Sequence, residues 1–504
     1  MLRALRLTMV LAVVVCATFV IHADTAPPSE AADIQLQLGR QFFDDGRYVE
    51  SLDAYERALH LAPDSARRRD ARVGVIQSSL RVAKFDQARR EAAALLASEP
   101  SSPEAMALDG DSLWAAGLFA DAEKEYRAAL EREPQLARGL HGIARALAAR
   151  SRLDEALDDA QAALRLAPRD LEIHHTVGMI YERMHRYPEA AAAFTSYVNL
   201  LPNKDTSDKA AWARAEVRFL RSFGDQVPFE MDPDTAAMLH TVNFKLDHGK
   251  VMVQARVNGA APQEFVLDTG SENTVVSERT AQRLGIEPVT YTLSAGVGDV
   301  GLRGLQLGRI DSLEIGTLKL RHVPCLIKNP PLRDLPTKET ESFSPLALGL
   351  SMTIDYQRRT LTIGRHLPEE RADVELPLWL YRLATVRGVV DRAQQTNFVV
   401  DTGGEVISIS RATASSLDAA ERLHIPLHVY GTSGWDRDAF LLPGVDLAFN
   451  DIHYRNFPVV VLNLEAPSAL LGFQVGGIVG HKFLSQYRVG IDLDRSVLRL
   501  RRAS

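Results

Sequence analysis

Phe265-Val266-Leu267-Asp268-Thr269-Gly270-Ser271 returns 133 residues later as Phe398-Val399-Val400-Asp401-Thr402-Gly403-Gly404. Each copy is an apolar run that reads as a strand and ends in Asp-Thr-Gly. Each is followed by a β-branched run, Thr274-Val275-Val276-Ser277 in the first and Val406-Ile407-Ser408-Ile409-Ser410 in the second. A single Asp-Thr-Gly is a common turn. Two with the same flanks place two carboxyl groups on equivalent turns of a duplicated unit.

The duplication reaches further. Ala281-Gln282-Arg283-Leu284-Gly285-Ile286 matches Ala420-Glu421-Arg422-Leu423-His424-Ile425, and Ala347-Leu348-Gly349 matches Ile478-Val479-Gly480. Each unit closes on Ile-Asp and a strand, Ile354-Asp355-Tyr356 and Ile491-Asp492-Leu493. β-Branched alternation between Gly, Pro, Asn and Asp clusters, as in Val251-Met252-Val253-Gln254-Ala255-Arg256-Val257, predicts an all-β region. Its lobes are read as 238–368 and 369–504, after a linker at 224–237.

This constellation resembles the retropepsin-like and pepsin-like aspartic peptidases over roughly residues 238 to 504. The resemblance implies an all-β bilobal fold complete in one chain, with Asp268 and Asp401 as the catalytic dyad. Thr269 and Thr402 would interlock the two loops, Gly270 and Gly403 would permit the tight turns, and the apolar-apolar-Gly segments would pack beneath the dyad. Two carboxyl groups near 3 Å share a proton, so one activates a water while the other hydrogen-bonds the scissile carbonyl. Neither a metal nor another cofactor is expected.

The two units are not equal. Ser271 follows the first triplet and Gly404 the second. A hydroxyl donated by Ser271 to Asp268 would leave the charge on Asp268 and the proton on Asp401. Gly349 to Ile354 spans 5 residues where Gly480 to Ile491 spans 11, a deficit that would disturb the support beneath Asp268. Substrate-covering flaps are expected at Ser294-Ala295-Gly296-Val297-Gly298-Asp299 and at Tyr430-Gly431-Thr432-Ser433-Gly434-Trp435, where glycines permit a mobile tip. The pepsin-type flap Tyr is missing between Ser294 and Gly304. Gly296-Val297-Gly298-Asp299-Val300-Gly301 also matches a dinucleotide fingerprint, but the turn-rich, strand-like run after it is not the helix that motif requires.

The first half is patterned differently. Pro63, Pro100, Pro134, Pro168 and Pro202 recur at intervals of 37, 34, 34 and 34. Small and aromatic residues keep fixed places between them, as in Gly110, Leu113, Gly117, Phe119, Ala122, Tyr126 and Ala129. The pattern resembles five tetratricopeptide repeats, so an all-α superhelix with a cap helix is expected over 31–223. Such an array implies a concave surface for substrate or a protein partner, or a brace packed against the second half.

Arg3 and Arg6 precede an apolar stretch from Leu7 to Ile21 and a polar, Pro-rich segment, which reads as an export signal over 1–23. A periplasmic or secreted location follows, or a membrane anchor if the segment stays uncleaved. Cys16 and Cys325 are the only cysteines, so cleavage would leave Cys325 alone, as a buried strand residue. A net charge of −7 without basic clusters gives no support for a nucleic-acid partner. His-Glu-x-x-His, Cys-x-x-Cys pairs and Gly-x-Ser-x-Gly are missing. The sequence therefore reads as an exported aspartic endopeptidase with a docking array. The alternative is an inactive binding or scaffold protein on the same fold, and a third reading is cleavage of itself or of one partner.

Overall fold

A computed structural model describes residues 28–202, 205–298, 301–328, 341–392, 394–417 and 422–502. The export segment, Asp299, Val300, Ala420 and Glu421 lie outside them.

From Pro28 to Leu200, ten helices form five antiparallel hairpins, from Pro28–Asp44 with Tyr48–Leu61 to Leu171–Arg183 with Tyr187–Leu200. An eleventh helix, Asp208–Arg221, caps the stack. Each of the five periodic prolines directly follows the C-cap residue of a hairpin's second helix (Ala62, Glu99, Glu133, Ala167, Leu201). Proline has no N–H to continue the ladder and stops the helix there. Glycines answer aromatics between hairpins: a Cβ on Gly74 would lie 2.3 Å from Tyr55, and one on Gly142 2.3 Å from Tyr126. The array curls until its ends meet. Tyr48 donates to Asp205 at 3.1 Å, and Arg81 pairs with Glu172, which also pairs with Lys209 of the cap.

The second half is two β lobes joined by a six-stranded antiparallel sheet. Its order is His240–Asn243, Thr360–Gly364, Ser351–Asp355, Tyr487–Asp492, Val497–Arg502 and Val374–Tyr381. Met352 faces Ile491 and Ile354 faces Val489, so the two Ile-Asp strands cross about a pseudo-twofold axis at Thr353 and Gly490. The 224–237 segment is laid on the first lobe rather than spanning free. Glu230–Met231 pairs with Leu320–Arg321, and the Phe229 ring lies 4.8 Å from His185 of the fifth hairpin.

One apolar cluster runs from the repeats into the second lobe. Phe119 packs on Phe473 at 5.2 Å and on Trp379 at 5.9 Å, and Trp114 meets Tyr381 edge-on at 5.2 Å. Gln474 N donates to Ala115 O, Ser496 Oγ to Arg150 O, and Arg183 Nη1 to Leu380 O. A second cluster joins Phe219 and Leu220 of the cap helix, and Phe223 just after it, to Leu307 of the first lobe. Of the two roles expected for the array, the intramolecular brace is therefore present. Its inner groove receives the tip of the Val374–Tyr381 and Leu383–Val390 hairpin, where Arg382 turns the chain at φ 61° and lies 5.4 Å from the Trp212 ring centroid.

Candidate active site

The strands Gln263–Leu267 and Gln394–Val400 each run buried into an Asp-Thr-Gly turn. A neighbouring parallel strand supports each turn. Asp268 N donates to Phe343 O at 2.9 Å, and Asp401 N to Val479 O at 3.0 Å. Phe343 is thus the counterpart of Val479, and the first lobe's supporting strand is Glu341–Phe343, not Ala347-Leu348-Gly349. Leu346–Leu348 instead forms a 3-10 turn after it. Ser344 stands where the second lobe has Gly480, which hid the segment from a search for apolar-apolar-Gly. Counted from Ser344 to Ile354 the spacing is 10 against 11, so the apparent deficit beneath Asp268 reduces to one residue.

The two turns interlock. Thr269 Oγ1 donates to Val400 O at 2.6 Å and Thr402 Oγ1 to Leu267 O at 2.7 Å. Each hydroxyl also accepts the other threonine's backbone N–H, at 3.0 and 3.1 Å. Both threonines are buried. The glycines clear room for the opposite carboxyl group. A Cβ on Gly270 would lie 2.6 Å from Asp401 Oδ1, and one on Gly403 2.6 Å from Asp268 Oδ1.

Asp268 and Asp401 are therefore brought together, and they titrate as a pair. Burial, then the charge of Asp401, pushes Asp268 up to about 7, with Lys328 and the Gly270 N–H opposing. Burial also raises Asp401, but the N–H groups of Gly403 and Gly404, at 2.8 and 2.9 Å from its Oδ1, favour its ionised form. Asp268 receives one such bond, from Gly270 at 3.1 Å. The proton consequently rests on Asp268 and the charge on Asp401, the reverse of the expectation from Ser271. The Ser271 hydroxyl donates to Asn273 O at 2.8 Å and supports the loop instead. The donors that decide the asymmetry are backbone N–H groups, and Gly404 supplies one of them.

Both expected flaps are hairpins, and their tips touch. The first joins Pro288–Ala295 to Leu302–Ile315, and the second joins Val429–Gly431 to Gly434–Asp436. Gly296 N donates to Ser433 Oγ at 3.0 Å, Ser433 N to Val297 O at 2.9 Å, and Arg303 Nη1 to Thr432 O at 2.9 Å. A Cβ on Gly431 would lie 2.3 Å from Val297 O, so these glycines allow the tips to meet. The strand Leu302–Ile315 follows the Gly-x-Gly-x-x-Gly phrase, and the βαβ context of a dinucleotide site is not formed. Tyr430 of the second flap lines the cleft, whereas Trp435 stacks edge-on behind it at 5.5 Å.

Below the flaps lies a cavity of about 1590 Å³ that contains both aspartates. Repeat-array residues wall one side of it, among them Glu182, Tyr187, Trp212, Glu216 and Phe219. Sequence reasoning missed them because nothing in a helical repeat says which face meets another domain. It also missed Lys328, and Glu272 with its partner Arg382 at 2.7 Å, although Glu272 directly follows Asp-Thr-Gly-Ser. Cys325 is buried and free, its thiol pushed up to about 12 by burial.

A family model described as aspartyl protease matches residues 253–351, and one described as tetratricopeptide repeat matches 17–66, 77–137 and 107–170. Among solved structures, the chain is similar to a thermophilic TPR protein of Thermus thermophilus. The two are 22% identical over 36% of this chain and 98% of that one, with a TM-score of 0.31. It is also similar to MamA of Desulfovibrio magneticus (17% identity, 35% and 97% coverage, TM-score 0.25) and to pilF of Pseudomonas aeruginosa (15%, 39% and 87%, 0.28). No curated protein matched the sequence. The chain joins a tetratricopeptide-repeat array to a two-lobed β region whose first Asp-Thr-Gly lobe matches the aspartyl protease model.

Proposed function

We propose that this chain is an exported aspartic endopeptidase that hydrolyses peptide bonds with a water held between Asp268 and Asp401. The observation that carries the reading is the paired, interlocked turns, which hold two carboxyl groups together in one buried cleft. Ionised Asp401 takes a proton from the water as its oxygen attacks the scissile carbonyl carbon. Protonated Asp268 donates to the carbonyl oxygen and offsets the charge developing there. The tetrahedral intermediate collapses as a dyad proton passes to the leaving amine, and the products are a carboxyl terminus and an amino terminus.

The flaps sit over this centre with their tips joined, so a peptide enters by parting Gly296-Val297 from Thr432-Ser433. The array narrows access from one side and presents part of the wall that a substrate meets. A protein partner would dock on repeat surfaces outside the groove that the Arg382 hairpin fills.

Incubation with an unfolded protein substrate from pH 3 to 8, with and without a statine-type inhibitor, tests the proposal. Cleavage that is inhibitor-sensitive and lost in both Asp268→Asn and Asp401→Asn is the expected result. Binding of the substrate without turnover by the unmodified chain would favour the inactive scaffold.

A further inference from the structure

The repeat array brings a second pair of carboxyl groups to the cleft. Glu182 is the penultimate residue of the Leu171–Arg183 helix and Glu216 lies in the Asp208–Arg221 cap helix, and both line the cavity that holds Asp268 and Asp401. Glu216 is only 6% exposed and accepts no hydrogen bond among the described residues, and Glu182 Oε2 is buried without a partner. Burying a carboxyl group without donors is costly, and a native fold that keeps two of them side by side calls for an explanation.

The chain's own cations do not satisfy them. Arg382 is the cation that opposes both, but its Nε donates to Glu272 at 2.7 Å and its Nη1 to Leu470 O at 2.7 Å. Arg183 is turned onto the carbonyls of Ala148 and Leu380 and the Ser151 hydroxyl. Trp212, Phe219 and Tyr187 stand in the same wall. Carboxylates framed by aromatic rings suit an ammonium or guanidinium group, which supplies several N–H donors and is drawn to ring faces.

We propose that Glu182 and Glu216 form an acidic subsite, lent by the repeat array to the peptidase cleft, that takes a Lys or Arg side chain of the substrate. The subsite rests on the reading of the cleft as a peptide-binding site. With the pocket empty, burial raises both groups, Glu182 to about 7, and the charge of Glu182 raises Glu216 further. Around them Arg382 lowers both and Arg183 lowers Glu182, Glu272 raises both, and Tyr187 and His185 are neutral near pH 7. An arriving cation favours the ionised carboxylates, so it releases protons on binding and binds more tightly as pH rises from 5 to 8.

The test uses the full-length Asp401→Asn protein, which binds without turnover, and titration calorimetry. The probes are octapeptides of Ala, Leu and Phe carrying one Lys at each position in turn, and the same series with norleucine. At least one Lys position should bind about 10-fold more tightly than its norleucine match and release protons at pH 7, seen as a buffer-dependent heat. Glu182→Gln/Glu216→Gln should abolish the preference and the proton release together. Equal affinity of the two series, no binding by either, or a preference that survives the double variant would overturn the subsite. Turnover of the same peptides by the unmodified chain separates the two ideas. Cleavage without Lys preference removes the subsite and leaves the peptidase, whereas Lys-selective binding without cleavage removes the peptidase and leaves the subsite.

Discussion

Thr269 and Thr402 hold each other across the lobe boundary by four hydrogen bonds, every one of which crosses from one turn to the other or to the strand behind it. Thr402→Val keeps the shape, but strands the Leu267 carbonyl and the Thr269 N–H in a buried site. The expected loss is roughly 2–4 kcal/mol, whereas Thr402→Ser should stay within about 1 kcal/mol of the parent. Denaturant unfolding of the three proteins side by side checks this. Equal stability of the Val and Ser variants would contradict it.

The dyad sets the alkaline limit. In the proposed reaction the singly protonated pair is the working form, and Asp268 keeps its proton up to about 7. kcat/KM should therefore fall above that pH. Ser271→Ala should leave both limbs of the profile where they are, since its hydroxyl is spent on Asn273.

Stability should follow the same group with a definite sign. Asp268 is raised from 3.8 to about 7, so between those values the unfolded chain sheds a proton that the folded one keeps. Folding stability falls as pH rises through that window. Asp268→Asn removes the penalty, and its melting temperature should drop less than the parent's between pH 4 and pH 8. A parallel decline in both would count against the raised value.

Gly270→Ala and Gly403→Ala each drive a methyl group to 2.6 Å from the opposite carboxyl group. Loss of at least about 100-fold in kcat/KM, roughly 2.7 kcal/mol of transition-state stabilisation, is expected for either. Steady-state kinetics on an unfolded substrate decides it.

Gly117 turns the third hairpin at φ 75°, and a Cβ there would lie 1.7 Å from Asn397 Nδ2 of the second lobe. Gly224 has φ 54° with open space around it. Gly224→Ala should therefore cost only the left-handed backbone, about 1–2 kcal/mol. Gly117→Ala adds the broken seam and should cost more than about 3 kcal/mol. Thermal melts of the two variants separate strain from packing.

The sequence made the architecture legible because both halves announce themselves through chemistry with a fixed spacing. Proline has to follow each helical hairpin, and Asp-Thr-Gly has to follow each central strand. What it hid was relational. Ser344 in place of glycine concealed the strand beneath Asp268, and the nearest apolar-apolar-Gly, a few residues on, drew the eye. The charge asymmetry of the dyad is set by backbone N–H groups, which no residue identity displays. The array's wall against the cleft depends on Trp114, Phe119 and Trp379 meeting in space, and the 259 residues between Phe119 and Trp379 carry no pattern that pairs them.

The contact of Tyr48 with Asp205, and of Arg81 with Glu172, gives the repeat array a property that a linear solenoid lacks. In an open stack each repeat feels only its neighbours, and the two termini fray independently. Here the first hairpin meets the segment that follows the last one, and the second hairpin meets the last. Damage at one terminus is felt at the other, and through the cap helix at the wall of the cleft itself. A nick in the first repeat would then register, in the proposed peptidase, as altered peptide cleavage at a distant cleft.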